Sequence, residues 1–370
     1  MAAVLPLPRL VFGFDCIGDL PGELALLGVR RPLLMSDSGL VKAGAAARVF
    51  QEMPANSSQY LDTPENPTTA GADAAYAAYR TGSCDSIVSL GGGSVIDTAK
   101  IVAAMAGCGV ADATTLLQNP GSINRHVAPL IAIPTTVGTG SESSPVAALH
   151  YSAHGMAVGT RSPFLVPRVA ICDPSLARSL PPRLIAATGF DALSHCLEGF
   201  FAEPENPIID ALALDGLTRA FSNLYPATQP DGDAARAGLM AAAFAGGAAI
   251  HKGLGPAHAI ALACGDQGLH HGVLIAAALP LTTALLLPHV PAKAARAASA
   301  LGLADAAEIP AVLRALTDKL GLPANLRAAG YRAGLLDKLA EDMQRSHFNR
   351  SSPYAPTAAE YRAMTEQLLA

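Results

Sequence analysis

The stretch SIVSLGGGSVIDTAKIVAAM, residues 86–105, changes its period halfway along. Ser86–Leu90 is a short apolar run of β type, and three glycines stand at its end. From Val95 to Ala106 the apolar residues recur at helical spacing. A strand that ends in glycines and opens a helix lets backbone N–H groups approach a phosphate, with the positive start of the helix behind them. Gly91, Gly92, Gly93 and Ser94 have that placement. The order is not G-x-G-x-x-G, so the usual dinucleotide fingerprint is missing, and a tight turn without a ligand fits the glycines equally well.

The same alternation continues on both sides. RRPLLMSD (30–37) reads as a strand, residues 40–51 as a helix, and 58–61 as a second short strand. The loop DTPENP (62–67) precedes a helical pattern over 68–80, while APLIAIPTT (128–136) and RVAICDPS (168–175) are further buried strands. MAAVLPLPRLVFG (1–13) lacks a basic start and is broken by Pro6 and Pro8, so it reads as a first strand and not a signal peptide. Strands alternating with helices predict a parallel sheet covered on both faces. After Pro181 and Pro182 only alanine- and leucine-rich helical periodicity remains. The expected fold is an α/β Rossmann-like N-terminal domain over 1–180, which would bind a nucleotide, and an all-α domain over 181–370, which would bind a metal.

Composition narrows the partners. A net charge of −5 with no basic run leaves no electrostatic footprint for nucleic acid. No uninterrupted apolar stretch is expected to reach membrane-spanning length, since LTTALLLPHV is short and cut by Pro288. Six cysteines without paired spacing suit buried thiols in a reducing cytoplasm.

Asp37, at the end of a strand, is placed to accept hydrogen bonds from an adenosine ribose and to repel a 2′-phosphate, favouring NAD over NADP. An ordinary helix cap is the alternative. Thr135, Thr136 and Thr139 in PTTVGTGSE offer hydroxyls after a buried strand, for a ligand or for the turn itself. In FDALSHCLEGFFA, Asp191 and His195 are four residues apart and share one helical face. His258 and His271 follow in apolar, glycine-rich sequence. One carboxylate and three imidazoles would suit a divalent Fe or Zn ion. Cys196 points about 100° away from His195 on a helix and is not expected to join them.

GGGSVIDTAK, PTTVGTGSE, CDPSLARSLPPRLIAATGFDALSHCLEGF and GLGPAH…HHG occur in the order found in the iron-containing (group III) alcohol dehydrogenase family, which the chain resembles over essentially its whole length. The resemblance implies the dehydroquinate synthase-like architecture of that family, a homodimer, and hydride transfer between a small alcohol or aldehyde and a nicotinamide. It implies metal ligation by Asp191, His195, His258 and His271. Nucleotide contacts would fall on Asp37, Gly92, Gly93, Ser94, Asp97, Thr135, Thr136 and Thr139. Departures fall near the substrate. Leu262 stands where many members carry a further histidine, Ile275 where asparagine is common, and Ala157 where a lysine is frequent, with Arg161 as a substitute. His270 could carry the proton in place of the missing histidine, or be a loop residue facing solvent. Arg161 and Lys252 could meet an anionic tail such as the carboxylate of a 4-hydroxy acid. The competing readings are reduction of an activated C=C bond, as in maleylacetate reductases, and a metal- and nucleotide-binding scaffold without catalysis.

Overall fold

The computed structural model describes residues 6–152, 155, 157–332 and 334–370. The chain divides into two compact units. The first runs to Thr136 and resumes over Gly140–Ser179; the second comprises Val137–Thr139 and Leu180–Ala370.

In the first unit the strands are β1 (Arg9–Phe12), β2 (Pro32–Met35), β3 (Ser58–Tyr60), β4 (Ser86–Gly91), β5 (Leu130–Pro134), β6 (Val146–His150), β7 (Ala157–Arg161) and β8 (Val169–Cys172). Its helices are α1 (Leu20–Leu27), α2 (Ser38–Lys42), α3 (Ala45–Gln51), α4 (Thr69–Thr81), α5 (Gly93–Cys108) and α6 (Ala113–Gln118). Six strands form one sheet in the order β1-β8-β5-β4-β2-β3, and every pairing in it is parallel. Alternation along each strand sends side chains to two separate cores. Leu33, Met35, Ile87 and Leu130 pack with Ala72, Ile101 and Met105 on one face. Leu34, Val88, Leu90, Ile131 and Ile133 pack with Leu20, Leu24 and Val49 on the other. Burial on both sides explains why these strands read as unbroken apolar runs.

The first unit departs from the sequence reading at two places. The single helix expected over 40–51 is two helices, because Gly44 adopts a left-handed φ of +77° between them. The hairpin β6–β7 has no counterpart in the sequence reading; it pairs Val146 with Arg161 through His150 with Ala157. Its first strand, VAALH, is alanine-rich, and its connection lacks an Asn-Gly type of turn, so the usual hairpin signal is missing.

The second unit contains helices α7 (Pro182–Phe201), α8 (Pro207–Ala227), α9 (Asp233–Ala249), α10 (Pro256–Ala263), α11 (His271–Leu286), α12 (Pro291–Ala300), α13 (Ile309–Lys319), α14 (Leu336–Arg345) and α15 (Ala358–Leu369), and no strand among its described residues. Small residues let α7 lie close to its neighbours: a Cβ at Gly216 would stand 2.6 Å from Cys196 Sγ, and one at Gly199 2.7 Å from Ala249 Cβ. Every residue of α7 from Ile185 to Phe201 is buried, so this is a core helix enclosed on all sides. The helical run His271–His289 is long and apolar enough to cross a membrane, which corrects the expectation that no such stretch exists; 67% of its most apolar window is buried within the protein.

Candidate metal centre and nucleotide turn

A core helix carrying a carboxylate and an imidazole needs a reason, since burying unpaired polar groups costs several kcal/mol, on the order of 2–7 for a neutral group. Asp191 supplies it. His195 Nε2 lies 3.5 Å from Asp191 Oδ1, and the Nε2 atoms of His258 and His271 each lie 3.7 Å from the same oxygen. These separations are too long for good hydrogen bonds. They suit donors around an ion: ligands about 2.1 Å from a tetrahedral centre stand about 3.4 Å apart. Asp191 Oδ1 and His258 Nε2 are buried and have no hydrogen-bond partner, a condition a cation between them would relieve. Asp191, His195 and His258 form a cluster able to hold a metal ion, and His271, half-exposed at the start of α11, lies beside it with Nε2 3.7 Å from Asp191 Oδ1.

Glu198 is the functional residue that sequence reading missed. It lies seven residues after Asp191 and three after His195, on the same face of α7. Its carboxylate accepts the backbone N–H groups of Gly255 and Ala257 at 3.0 and 2.8 Å, and its Oε2 lies 2.6 Å from His258 Nδ1. A buried carboxylate there orients the His258 ring through Nδ1 and turns Nε2 toward Asp191. Gly255 is required for this clasp, because a Cβ at that position would stand 2.8 Å from Glu198 Oε1.

Electrostatics follow the geometry. Burial alone would raise the Asp191 carboxyl, but three surrounding imidazoles hold it well below the usual carboxylate range. Burial pushes His195 down to about 4. Burial would lower His258 too, yet the Asp191 and Glu198 carboxylates outweigh it and raise the ring to about 9. Cys196 is directed at the Ala242 carbonyl, and burial raises its thiol far from the thiolate form, so it is no ligand.

In the first unit, β4 delivers Gly91 and Gly92 to the N-terminus of α5, with Gly92 as cap. A Cβ at Gly92 would meet Thr136 Cγ2 at 3.0 Å, so the turn and the Thr135–Thr136 segment are in contact range. The sixteen-residue α5 begins with amides that have no partner within the helix, among them those of Gly93 and Ser94. Thr136 Oγ1 is buried without a hydrogen-bond partner. Asp37 caps α2, its Oδ1 accepting from Gly39 and Leu40 N–H at 2.8 and 2.9 Å. Asp97 faces inward: it accepts from the Ser141 hydroxyl and, at 2.9 Å, from Ala148 N–H, beside the fully buried Lys100. Lys100 donates to the carbonyls of Ser144 and Val146 at 2.9 and 2.7 Å, tying α5 to the hairpin.

The remaining expected residues are dispersed. Thr139 belongs to the segment that groups with the helical unit, not with Thr135 and Thr136. His270 is exposed at the N-cap of α11 and lines a cavity of about 380 Å³ with Arg183, Leu184, Ala187 and Val273. Lys252 is not available to a substrate, since its buried ammonium donates to Asp210 and to the Phe200 carbonyl. Arg161 ends β7 in the first unit and is exposed there.

A doubly covered parallel sheet with a glycine turn at a strand end, and a buried carboxylate faced by two buried imidazoles and one exposed imidazole, suit an enzyme that uses a nucleotide and a metal ion. Residues 8–174 match the iron-containing alcohol dehydrogenase family, and residues 185–369 match the C-terminal region of the Fe-containing alcohol dehydrogenase family. The 4-hydroxybutyrate dehydrogenase of Cupriavidus necator is 38% identical over 99% of this chain and 100% of its own. The NAD-dependent methanol dehydrogenase of Bacillus methanolicus is 27% identical over 98% of each. Among solved structures, 1,3-propanediol oxidoreductase superimposes with a TM-score of 0.91 at 28% identity, covering 100% of both chains. The chain belongs to the iron-containing alcohol dehydrogenase family. It is a metal-dependent, nicotinamide-linked alcohol dehydrogenase, and neither the C=C reductase nor the scaffold reading is favoured.

Proposed function

We propose that this dehydrogenase interconverts a short ω-hydroxy acid of the 4-hydroxybutyrate class and its semialdehyde with NAD, using Asp191, His195, His258 and His271 as metal ligands. The observation that carries the metal reading is the convergence of three Nε2 atoms on one Asp191 oxygen. The substrate class rests on the 38% identical relative and the full coverage of both chains. A divalent ion in this shell supplies Lewis acidity toward the alcohol or aldehyde oxygen. The chain's own work is to hold and shield. Glu198 fixes the proton of His258 at Nδ1, and the buried face of α7 keeps water from the ligands behind it. The amides of Gly93 and Ser94, at the start of α5, would receive the pyrophosphate of the nucleotide. Asp37 caps α2 through Oδ1 and would meet the ribose hydroxyls through Oδ2. Steady-state kinetics on metal-replete enzyme test the substrate: kcat/KM for 4-hydroxybutyrate is expected to exceed that for 1-butanol by about 10-fold or more, the scale on which a pocket separates close homologues. Equal values would remove the ω-hydroxy acid and leave a simple alcohol.

The active form is proposed to be a homodimer in the cytoplasm. Six free thiols suit a reducing compartment. β1 lies at the edge of the sheet, with Leu10 and Phe12 exposed on it and Leu7 and Phe14 exposed beside it. An open apolar edge invites another strand, and antiparallel pairing with its own copy is self-complementary about a two-fold axis. Phe12→Glu is expected to convert the dimer to monomer in light scattering; an unchanged mass would place the contact elsewhere.

A further inference from the structure

A C-terminal segment that the sequence presents only as a loop lies against the metal-ligand shell. The 3₁₀ turn His347–Arg350 places the Phe348 ring 5.5 Å from the His258 ring, tilted by 57°. The His347 ring backs Phe348 at 4.1 Å. Phe348 is only half-buried, although the imidazole beneath it is almost wholly so. Phe348 thus keeps part of its surface exposed while its ring contacts a candidate ligand. One helical turn after His258 on α10, half-buried Leu262 adds a second apolar group to the same face.

The turn is fastened from four directions. Asn349 Nδ2 donates to the carbonyls of Met343 and Gln344 at 2.8 and 2.9 Å, at the end of α14. The Tyr361 hydroxyl, from α15, donates to Asn349 Oδ1 at 2.6 Å. Ser351 Oγ donates to the Leu254 carbonyl at 3.0 Å, just ahead of α10. The Ser351 carbonyl accepts from Glu203 N–H at 2.8 Å, just beyond α7.

We propose that Phe348 is a specificity-determining residue: its ring bounds the space beside the metal ligands and limits the length of the carbon chain that the site accepts. The proposal rests on the dehydrogenase reading above. A fixed aromatic wall discriminates by exclusion, because neighbouring side chains held at both ends of the turn leave the ring little room to yield. Hydrophobic pockets typically separate substrates differing by a methylene by about 10–200-fold, so removing the ring should shift preference along a homologous series.

The test uses full-length enzyme loaded with metal and NAD⁺. For Phe348→Ala and Phe348→Leu, kcat/KM is measured for primary alcohols from 1-propanol to 1-hexanol. Calorimetry gives the affinity of propanamide and hexanamide, unreactive carbonyl analogues, and elemental analysis gives metal content. The expected result is metal content as in the parent, with the hexanol-to-propanol ratio rising by about 10-fold or more in the alanine variant and less in the leucine variant. The amide affinities should shift in the same sense. An unchanged ratio in both variants overturns the proposal. If the alanine variant loses its metal, the leucine variant decides by the same ratio. If the parent binds metal but turns over neither these alcohols nor 4-hydroxybutyrate, the dehydrogenase reading fails, and the amide affinities alone decide whether Phe348 bounds the space.

Discussion

Three imidazoles around one oxygen of Asp191 carry most of the consequence at the residue scale. His195→Ala and His258→Ala are each expected to abolish bound metal and turnover together, read by elemental analysis and initial rates; full metal stoichiometry in either variant would refute the ligand assignment. Glu198→Gln keeps the shape but weakens the hold on the His258 proton. Its expected effect is a loss of metal affinity of roughly 10–100-fold, as removal of an outer carboxylate costs elsewhere, measured by competition with a chelator. Asp37→Gly should relax the preference for NAD over NADP, since it removes the charge that repels a 2′-phosphate; an unchanged ratio of kcat/KM for the two cofactors would reduce Asp37 to a helix cap. The candidate cluster was legible because Asp191 and His195, four residues apart, share a helical face. Glu198 continued that face at i+7 but looked like an ordinary helical glutamate, and its partners lie 57–60 residues away. Phe348 gave no signal at all: its contact with His258 depends on how the final helices pack.

At the scale of elements, the metal set depends on how closely two helices approach. A Cβ at Gly272 would run into the backbone carbonyl of Ala187, so the first turn of α11 lies directly on α7. Gly272→Ala should force the helices apart, costing about 1–3 kcal/mol, as overpacking usually does, and shifting His271 away from Asp191. Denaturant melts and metal titration would report both losses, and a variant with parent stability and affinity would show that the contact yields freely. Elements with a clean period were readable: β4 and α5 follow from the break at Gly91, and the buried strands from their continuous apolar runs. Hairpin β6–β7 was hidden because alanine carries little strand preference and its pairing is held partly by Lys100, a tertiary contact.

For the molecule as a whole, global stability should carry the mark of one buried acid. Burial pushes Glu142 up to about 7 from an ordinary 4.5. Between those values the unfolded chain has released a proton that the folded chain retains, so this group's contribution is full below 4.5 and is lost as pH rises through 7. Glu142→Gln removes the titration and should flatten the decline from about pH 5 to about pH 7.5 by up to about 3 kcal/mol, since each pH unit between the two ionisations is worth about 1.4 kcal/mol. Urea unfolding at the two pH values measures it, and identical declines in both proteins would show that Glu142 is ionised when folded.

The three residues Val137–Thr139, which leave the sheet unit and return, bear on modularity. Val137 is fully buried, and Gly138 sits so close to the Thr188 backbone that no side chain would fit. The helical half therefore borrows a stitch of polypeptide from the middle of the other half. Recombination that exchanges everything beyond residue 180 for the equivalent part of a cousin would bring a foreign seat for that stitch. Chimaeras of this enzyme should be spliced with 137–139 taken from the same parent as the helices.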